Sequence, residues 1–433
     1  MNVLLIGGGG REHAMAAAIA RSPRLGEFYA TDTANPGIAA LAKTVEVSGK
    51  PAATKDLPYF CDHHAIDLVV IGPEDPLAAG LADKLSTRKD GTPRFVFGPS
   101  AAAARLEADK AYAKSLMRAG SIPTAEGRVF KDAEAAIAYV ESRDDPVVVK
   151  AAGLAKGKGV VVPETTAEAV DAVRRIMIDK AFGDAGTNVV IEEKLVGREA
   201  SVLALVDGRN VMLLPPCRDH KRLRDNDMGP NTGGMGAFCP ATDIDDATMS
   251  IIERDVLVAI VDALRRDGAE FRGVLYAGVM LTPAGPKVLE YNVRFGDPEC
   301  QPMLARLTSD PLDLMLRTAQ GSLDGARPTW DDRAAVCIVL AAHGYPDDPR
   351  KGDVITGIDK AEAMADVSVQ YAGVRRLEDG SLVTAGGRVL GVTALGTNVV
   401  DARAKAYAAA NVIEFEGKHM RRDIAVSAVA ARV

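Results

Sequence analysis

The sequence predicts a multidomain α/β and α+β protein, and three observations carry that expectation. The chain has 433 residues, more than one ordinary hydrophobic core organises, so about two to four domains are expected. Roughly the first hundred residues alternate short apolar strands with helical stretches, the pattern of a parallel sheet covered on both faces. From Arg128 the rhythm changes to short strands and helices of a mixed α+β kind.

In order, strands are expected at Val3 to Ile6, Phe28 to Thr31, Leu68 to Ile71 and Phe95 to Phe97. Ligands of a parallel sheet sit beyond the strand C-termini. The loops there are Gly7 to His13, Asp32 to Gly37, Gly72 to Pro76 and Gly98 to Ser100. An Ala-rich helix from about Ala101 to Met117 leads into a small unit. That unit reads as a strand near Val129, helix Ala133 to Glu141, strand Val147 to Lys150, a glycine loop, strand Val160 to Val162, helix Ala167 to Ile178 and strand Val189 to Glu193. A longer mixed region runs to about residue 328, with a glycine-rich loop from Gly229 to Gly236 and a helix from about Met249 to Arg266. Beyond Trp330, strands Ala334 to Leu340 and Val389 to Ala394 frame a last α+β module.

Composition narrows the partners. A net charge of −7 and 26% charged residues argue against nucleic acid or an anionic membrane, since both require a basic face. Small anionic substrates need only a local basic pocket. Cys61, Cys217, Cys239, Cys300 and Cys337 are scattered, odd in number and without metal spacing, which fits reduced thiols in a cytoplasmic protein. Met1 to Gly7 lacks a basic leader region and reads as a first strand running into a glycine loop.

The most informative segment is Lys287 to Glu299, K-V-L-E-Y-N-V-R-F-G-D-P-E. A strand alternates faces, so Leu289, Tyr291 and Val293 are expected in a core while Glu290, Asn292 and Arg294 form a polar row. A carboxylate and an amide oxygen two residues apart suit Mg²⁺, which shares its shell with water and substrate phosphates. The guanidinium suits a developing oxyanion. A solvated edge strand explains Glu-x-Asn taken alone, but the turn Phe295 to Glu299 prolongs the polar row and favours a site.

Gly7 to Gly10 resembles a dinucleotide fingerprint, with Asp32 where a ribose-binding acid would stand. Yet Glu12 replaces the third glycine, and Arg11-Glu12-His13 puts bulk where a pyrophosphate needs the backbone. The loop can still bind an anion or sugar at a helix N-terminus. Glu74, between Pro73 and Pro76, is placed to accept from ribose hydroxyls, and an ordinary surface Glu is the competing reading. Lys150 ends a buried strand before Ala151-Ala152-Gly153-Leu154-Ala155-Lys156-Gly157-Lys158-Gly159, a lysine beside a flexible loop that can close over phosphates. Walker A is absent. Glu192, Glu193, Lys194 and Leu195, followed by Glu199, offer an extended backbone to a base and a carboxylate to a ribose. Arg388, before the last apolar strand, is either a phosphate contact or an isolated surface arginine.

The motifs G-G-G-G-R-E-H, G-P-E-D-P-L, G-L-A-K-G-K-G, G-P-N-T-G-G-M-G and R-F-G-D-P-E, in this order over essentially the whole chain, resemble the phosphoribosylamine-glycine ligase (glycinamide ribonucleotide synthetase) family of the ATP-grasp superfamily. Two places depart from its usual pattern: Ala152 stands where Asp is usual, and Ala34-Asn35-Pro36-Gly37 where P-G-N-x-G is usual. The resemblance implies an N-terminal substrate-binding α/β domain over 1–102, a two-lobed ATP-grasp domain over 103–328 with a lid near 124–192, and a C-terminal α+β domain over 329–433. It implies a cytoplasmic, monomeric carbon-nitrogen ligase of purine biosynthesis. Its substrates would be ATP, glycine and 5-phosphoribosylamine, with Mg²⁺ or Mn²⁺ as metal and glycyl phosphate as intermediate.

By the same resemblance, Glu290 and Asn292 would hold the metal. Lys110, Lys150, Gly157, Lys158, Gly159, Glu192, Glu193, Lys194, Leu195 and Glu199 would hold ATP. Arg294 would stabilise the transferring group and Asp297 hold an amine. Gly9, Gly10, Arg11, Glu12, Glu74, Asp219, Lys221, Asn231, Gly233, Pro298, Glu299 and Arg388 would complete the substrate side. Formate- or bicarbonate-using sibling ligases, D-alanine ligases and a non-catalytic nucleotide sensor are the alternatives. The paired G-P-N-T-G-G-M-G and R-F-G-D-P-E motifs argue against the ligases, and the presence of Glu290, Asn292 and Lys150 against the sensor.

Overall fold

The computed structural model describes residues 1–45, 56–155, 158–426 and 428. Asn2–Ile6 forms the middle of a five-stranded parallel sheet in the order Lys43–Thr44, Phe28–Ala30, Asn2–Ile6, Ile66–Ile71, Phe95–Phe97. Val3 to Ile6 and Leu68 to Ile71 are buried on both faces, which is why they read as unbroken apolar runs. The first strand turns at Gly7, whose φ of +112° excludes most side chains and whose Cβ would lie 2.7 Å from Glu12 Cγ.

The expected helix from Ala101 to Met117 is two helices, Ala101–Ala108 and Lys110–Ala119. Asp109 leaves the helical region (φ −137°, ψ 96°) and its carboxylate caps the second helix by accepting from the Tyr112 N–H. Asp competes with the helical backbone in this way wherever a break is tolerated.

Next come two antiparallel sheets facing a cleft. The smaller has the order Gly127–Phe130, Val189–Glu193, Val147–Ala151, Val160–Val161, and its own apolar cluster includes Val149, Ile176 and Ile191. Its last helix, Thr166–Val173, continues as a π-helical turn over Arg174–Ile178. The larger sheet has the order Val211–Leu213, Arg198–Asp207, Arg272–Thr282, Gly285–Asn292. The flanking helical run starts at Asp246, because Asp245 caps the Thr248 N–H, and passes through a π-helical stretch to Arg266.

The last strand of that sheet departs from simple alternation. Gly278 pairs with Glu290 while Val279 pairs with Val288, so Leu289 is an extra residue, a β-bulge. Val288, Tyr291 and Val293 are therefore the buried residues, and Leu289, expected in the core, is only half-buried.

The C-terminal sheet takes two strands from the middle region, in the order Arg218–Asp219, Gly236–Cys239, Ala334–Ala341, Arg388–Gly396, Val367–Tyr371. The glycine-rich stretch from Gly229 to Gly236 is accordingly not one free loop. Its first part pairs with Arg222–Arg224 in a hairpin and its last residue begins a buried strand. All five cysteines are free and buried. Among the described residues no helix is long and apolar enough to cross a membrane.

Two histidines seal contacts around the C-terminal module. His13 Nδ1 accepts from the Tyr371 N–H at 2.8 Å, and His220 Nε2 accepts from the Ala425 N–H at 3.3 Å. Burial pushes each down to about 4, below the ordinary 6.5. Between these values the unfolded chain holds more protons than the folded one, so stability present above about pH 6.5 falls as pH drops towards about 4. Each group contributes up to about 3 kcal/mol to that loss. Urea unfolding midpoints at about pH 7 and about pH 4.5 should therefore diverge, and less so in His13→Gln. Equal divergence in both proteins would remove His13 from the account.

Candidate active site

The site is built around the end of the Gly285–Asn292 strand. Glu290 lies opposite Gly278, and its Oε1 is 3.2 Å from Lys221 Nζ, which is also 3.5 Å from Glu199 Oε2. Lys221 holds the Glu290 carboxyl at about 2 against the opposing effect of burial, so it is ionised at any working pH. The bulged Leu289 offers its carbonyl to Lys150 Nζ at 3.0 Å. Asn292 Oδ1 accepts from Arg294 Nη2 at 3.2 Å. Arg294 Nη2 donates also to Glu107 Oε1 at 2.8 Å, and its Nε to Glu74 Oε2 at 3.3 Å. Sequence alternation therefore placed Glu290, Asn292 and Arg294 together, and the structure adds the partners.

The two N-terminal loops reach the same point. Arg11, at the start of the Gly10–Ala20 helix, donates from Nη1 to the Phe295 carbonyl at 3.0 Å, and its Nη2 is 3.9 Å from Glu74 Oε2. Glu12 is buried, with one oxygen accepting from the Gly9 N–H at 2.7 Å and the other from Arg11 Nε at 2.7 Å. Both of its oxygens thus orient the loop itself. Glu74 begins the short Glu74–Ala78 helix. Burial raises its pKa, but Arg294 and Arg11 outweigh that and hold it at about 2. Gly9 and Gly10 lie against the third component, since a Cβ on either would come within 4 Å of an Asp297 oxygen (3.9 and 3.8 Å).

That component is the turn after Phe295. Asp297 Oδ1 accepts from Gln301 Nε2 and Oδ2 from Arg388 Nη2, both at 2.8 Å, and a cis peptide joins Asp297 to Pro298. Burial opposes ionisation of Asp297, and Arg388 and Arg11 overcome it. Arg388 also donates to the carbonyls of Gly233 and Asp297, so it is a half-buried part of the site and not an isolated surface group. Gly233 receives the Tyr345 hydroxyl as acceptor of its N–H at 3.0 Å. A Cβ on Gly234 would lie 2.5 Å from Pro298 Cδ and 2.7 Å from Asp219 Oδ1, which explains the glycine pair there. Asn231 pairs through its backbone with Arg222. Glu299 Oε1 accepts from Ser201 and Tyr276 hydroxyls at 2.9 and 2.8 Å. Asp219 Oδ1 and Gln301 Oε1 are buried without a hydrogen-bond partner among the described residues, and burial with the nearby Glu299 drives the Asp219 carboxyl well up. An orphaned buried oxygen of this kind is satisfied by water, an ion or a ligand donor.

On the far side, Glu192 lies between two lysines, Lys150 and Lys114, each 2.6 Å away. Lys110 Nζ donates to the Gly153 carbonyl at 3.2 Å, and burial lowers its pKa. Glu193 pairs with Lys287 at 2.9 Å. Lys194 and Leu195 follow the strand into the Arg198–Asp207 strand that carries Glu199. Gly159 accepts through its carbonyl from the Ala151 N–H, closing the lysine loop. Lys158 Nζ reaches the Pro346 carbonyl at 2.7 Å, so this loop touches the C-terminal module. Gly157 lies outside the described residues.

Sequence reasoning missed Glu107, Lys114, Ser201, Tyr276 and Gln301. Each is an unremarkable residue of a helix or strand whose importance comes from a partner elsewhere in the chain. Lys114, one turn after Lys110 on the same helix, is the one that helical spacing could have flagged.

The chain matches the phosphoribosylglycinamide synthetase family in three parts: its N domain over residues 1–107, its ATP-grasp (A) domain over 108–300 and its C domain over 335–427. It is 47% identical over 435 residues to a phosphoribosylamine–glycine ligase of Rhodopirellula baltica, covering 99% of this chain and 98% of that one. It is also 47% identical over 430 residues to the protein of that name from Agrobacterium fabrum, covering 99% of each. The crystal structure of a Thermotoga maritima phosphoribosylamine–glycine ligase is similar with a TM-score of 0.79 and 35% identity, covering 98% of this chain and 100% of that chain. A biotin carboxylase of Campylobacter jejuni shares the fold at TM-score 0.68 and 16% identity over 96% of this chain and 92% of its own. With three domains in order and near-complete coverage at 47% identity, the chain belongs to the phosphoribosylglycinamide synthetase family.

Proposed function

We propose that this cleft joins glycine to 5-phosphoribosylamine at the expense of ATP by way of glycyl phosphate, in the cytoplasm and as a monomer. The chain is a ligase with the ATP-grasp fold. The observation that carries the detailed reading is the position of Arg294. One guanidinium touches Asn292 on the metal and phosphate side and Glu74 on the N-terminal side.

Glu290 and Asn292 fit a hard divalent cation, Mg²⁺ or Mn²⁺, because one is ionised and the other, two residues on along the strand, carries an amide oxygen, which here accepts from Arg294. Among the described residues no three His, Cys, Asp or Glu gather as a metal cluster, so these two would share the ion with phosphate oxygens and water. When bound, the ion neutralises phosphate charge. Lys110 and Lys150 bind the phosphates, and the segment from Glu192 to Leu195 with Glu199 takes the adenosine.

The glycine carboxylate attacks the γ-phosphorus, and the bond to the β–γ bridging oxygen breaks as ADP leaves. Arg294 stabilises the charge spread over the transferring group. The phosphoribosylamine nitrogen then attacks the acyl carbon, phosphate departs, and the amine loses a proton. We assign Asp297 and the orphaned Asp219 oxygen to holding a substrate amine. An acyl phosphate hydrolyses readily, which gives the glycine loops a role in excluding water.

ADP release should require glycine and phosphoribosylamine together and should not be supported by bicarbonate, formate or D-alanine. A coupled assay with each substrate omitted in turn checks this, and comparable turnover with one of those other acids would overturn the assignment. Glu74→Ala should raise the KM for phosphoribosylamine by roughly ten- to a hundredfold, equivalent to about 1.5–3 kcal/mol of lost hydrogen bonding. KM for ATP and glycine should change little. A common rise in all three, or in none, would make Glu74 a structural residue.

A further inference from the structure

Arg294 has two carboxylate partners, and they are not equivalent. Glu107, near the end of the Ala101–Ala108 helix, is buried; one oxygen accepts from Arg294 Nη2 at 2.8 Å and the other from the Val293 N–H at 2.8 Å. Glu74 is more open, lies farther from Arg294 at 3.3 Å, and is shared with Arg11. We infer that Glu107 is the positioning residue for Arg294, holding the guanidinium and the strand end that carries it, so that Glu74 is released to bind the sugar without leaving Arg294 unpaired.

Three features support this division of labour, which rests on the proposed role of Arg294. The two Glu107 oxygens take the Val293 N–H and the Arg294 head group, so they fix the backbone one residue before Arg294 together with its guanidinium. The bond is charge-assisted and shielded from water, where such bonds hold geometry best. The helix carrying Glu107 is also the link between the N-terminal sheet and the cleft, so the carboxylate stands between the sugar side and the phosphate side. Burial raises the Glu107 carboxyl and Arg294 opposes that rise, so each of the two charges depends on the other.

The test is a double-mutant cycle with Glu107→Gln and Arg294→Ala, reading kcat, the three KM values and thermal unfolding. Gln keeps the length and the acceptor for the Val293 N–H while removing the charge. Glu107→Gln should lower kcat roughly ten- to a hundredfold with KM for phosphoribosylamine nearly unchanged, the reverse of the Glu74→Ala pattern. In the Arg294→Ala background the same change should cost almost nothing further. Equal losses in both backgrounds, or a rise in KM without a fall in kcat, would overturn the positioning role. So would unchanged kinetics in Glu107→Gln alone while Arg294→Ala is impaired. If Arg294→Ala itself retains full kcat, it is the reading of Arg294 as stabiliser that fails. A Glu107→Gln protein that unfolds early is replaced by Glu107→Asp, which keeps the charge but withdraws it by a methylene and should lose kcat in the same Arg294-dependent way.

Discussion

A guanidinium enclosed by protein must be paired, because removing one partner of a buried ion pair costs about 3–5 kcal/mol. Arg294 imposes that requirement here. Burial works against its charge, and Glu107 and Glu74 more than compensate, so its pKa is raised. Those two carboxylates come from different helices, and both must meet the end of one strand for the pairing to exist. The orientation of the N-terminal sheet against the cleft follows. Arg11 reinforces it by donating to the Phe295 carbonyl, one residue beyond Arg294.

Away from Arg294 the cleft is lined by alternating charges. Lys114, Glu192 and Lys150 form one run, and Glu290, Lys221 and Glu199 another. Lys150 and Lys110 add to the field that keeps Glu290 ionised. Such alternation lets several lysines sit close together without mutual repulsion. The cost of burying each charge is offset within the protein before any ligand arrives. On the opposite side, Asp297 and Arg388 lock the cis turn, and the Lys158 contact with the Pro346 carbonyl joins the lysine loop to the C-terminal module.

Local patterns made much of this legible in the amino-acid sequence. Two-residue alternation gave the polar row Glu290, Asn292 and Arg294, and the apolar runs gave the four main strands of the first sheet. The bulge at Leu289 was not legible, because it depends on how Gly285–Asn292 registers against Arg272–Thr282. The break at Asp109 had a local signal, an Asp placed three residues before an amide it can cap, but the Ala-rich flanks masked it. Glu107 had none. Its meaning lies in a partner 187 residues away, and only the folded chain brings them together. Arg388, ambiguous in sequence, becomes specific through Asp297 for the same reason.

The central claim is that Arg294 stabilises transfer of the phosphoryl group to glycine. The most direct measurement follows ATP labelled with heavy oxygen in the bridge between its β- and γ-phosphorus. Protein given this ATP and glycine, without phosphoribosylamine, should move the label into a non-bridging β-position as transfer reverses. The exchange should depend on glycine and fall at least about tenfold in Arg294→Ala. Undiminished exchange in that variant, or exchange that needs no glycine, would contradict the account.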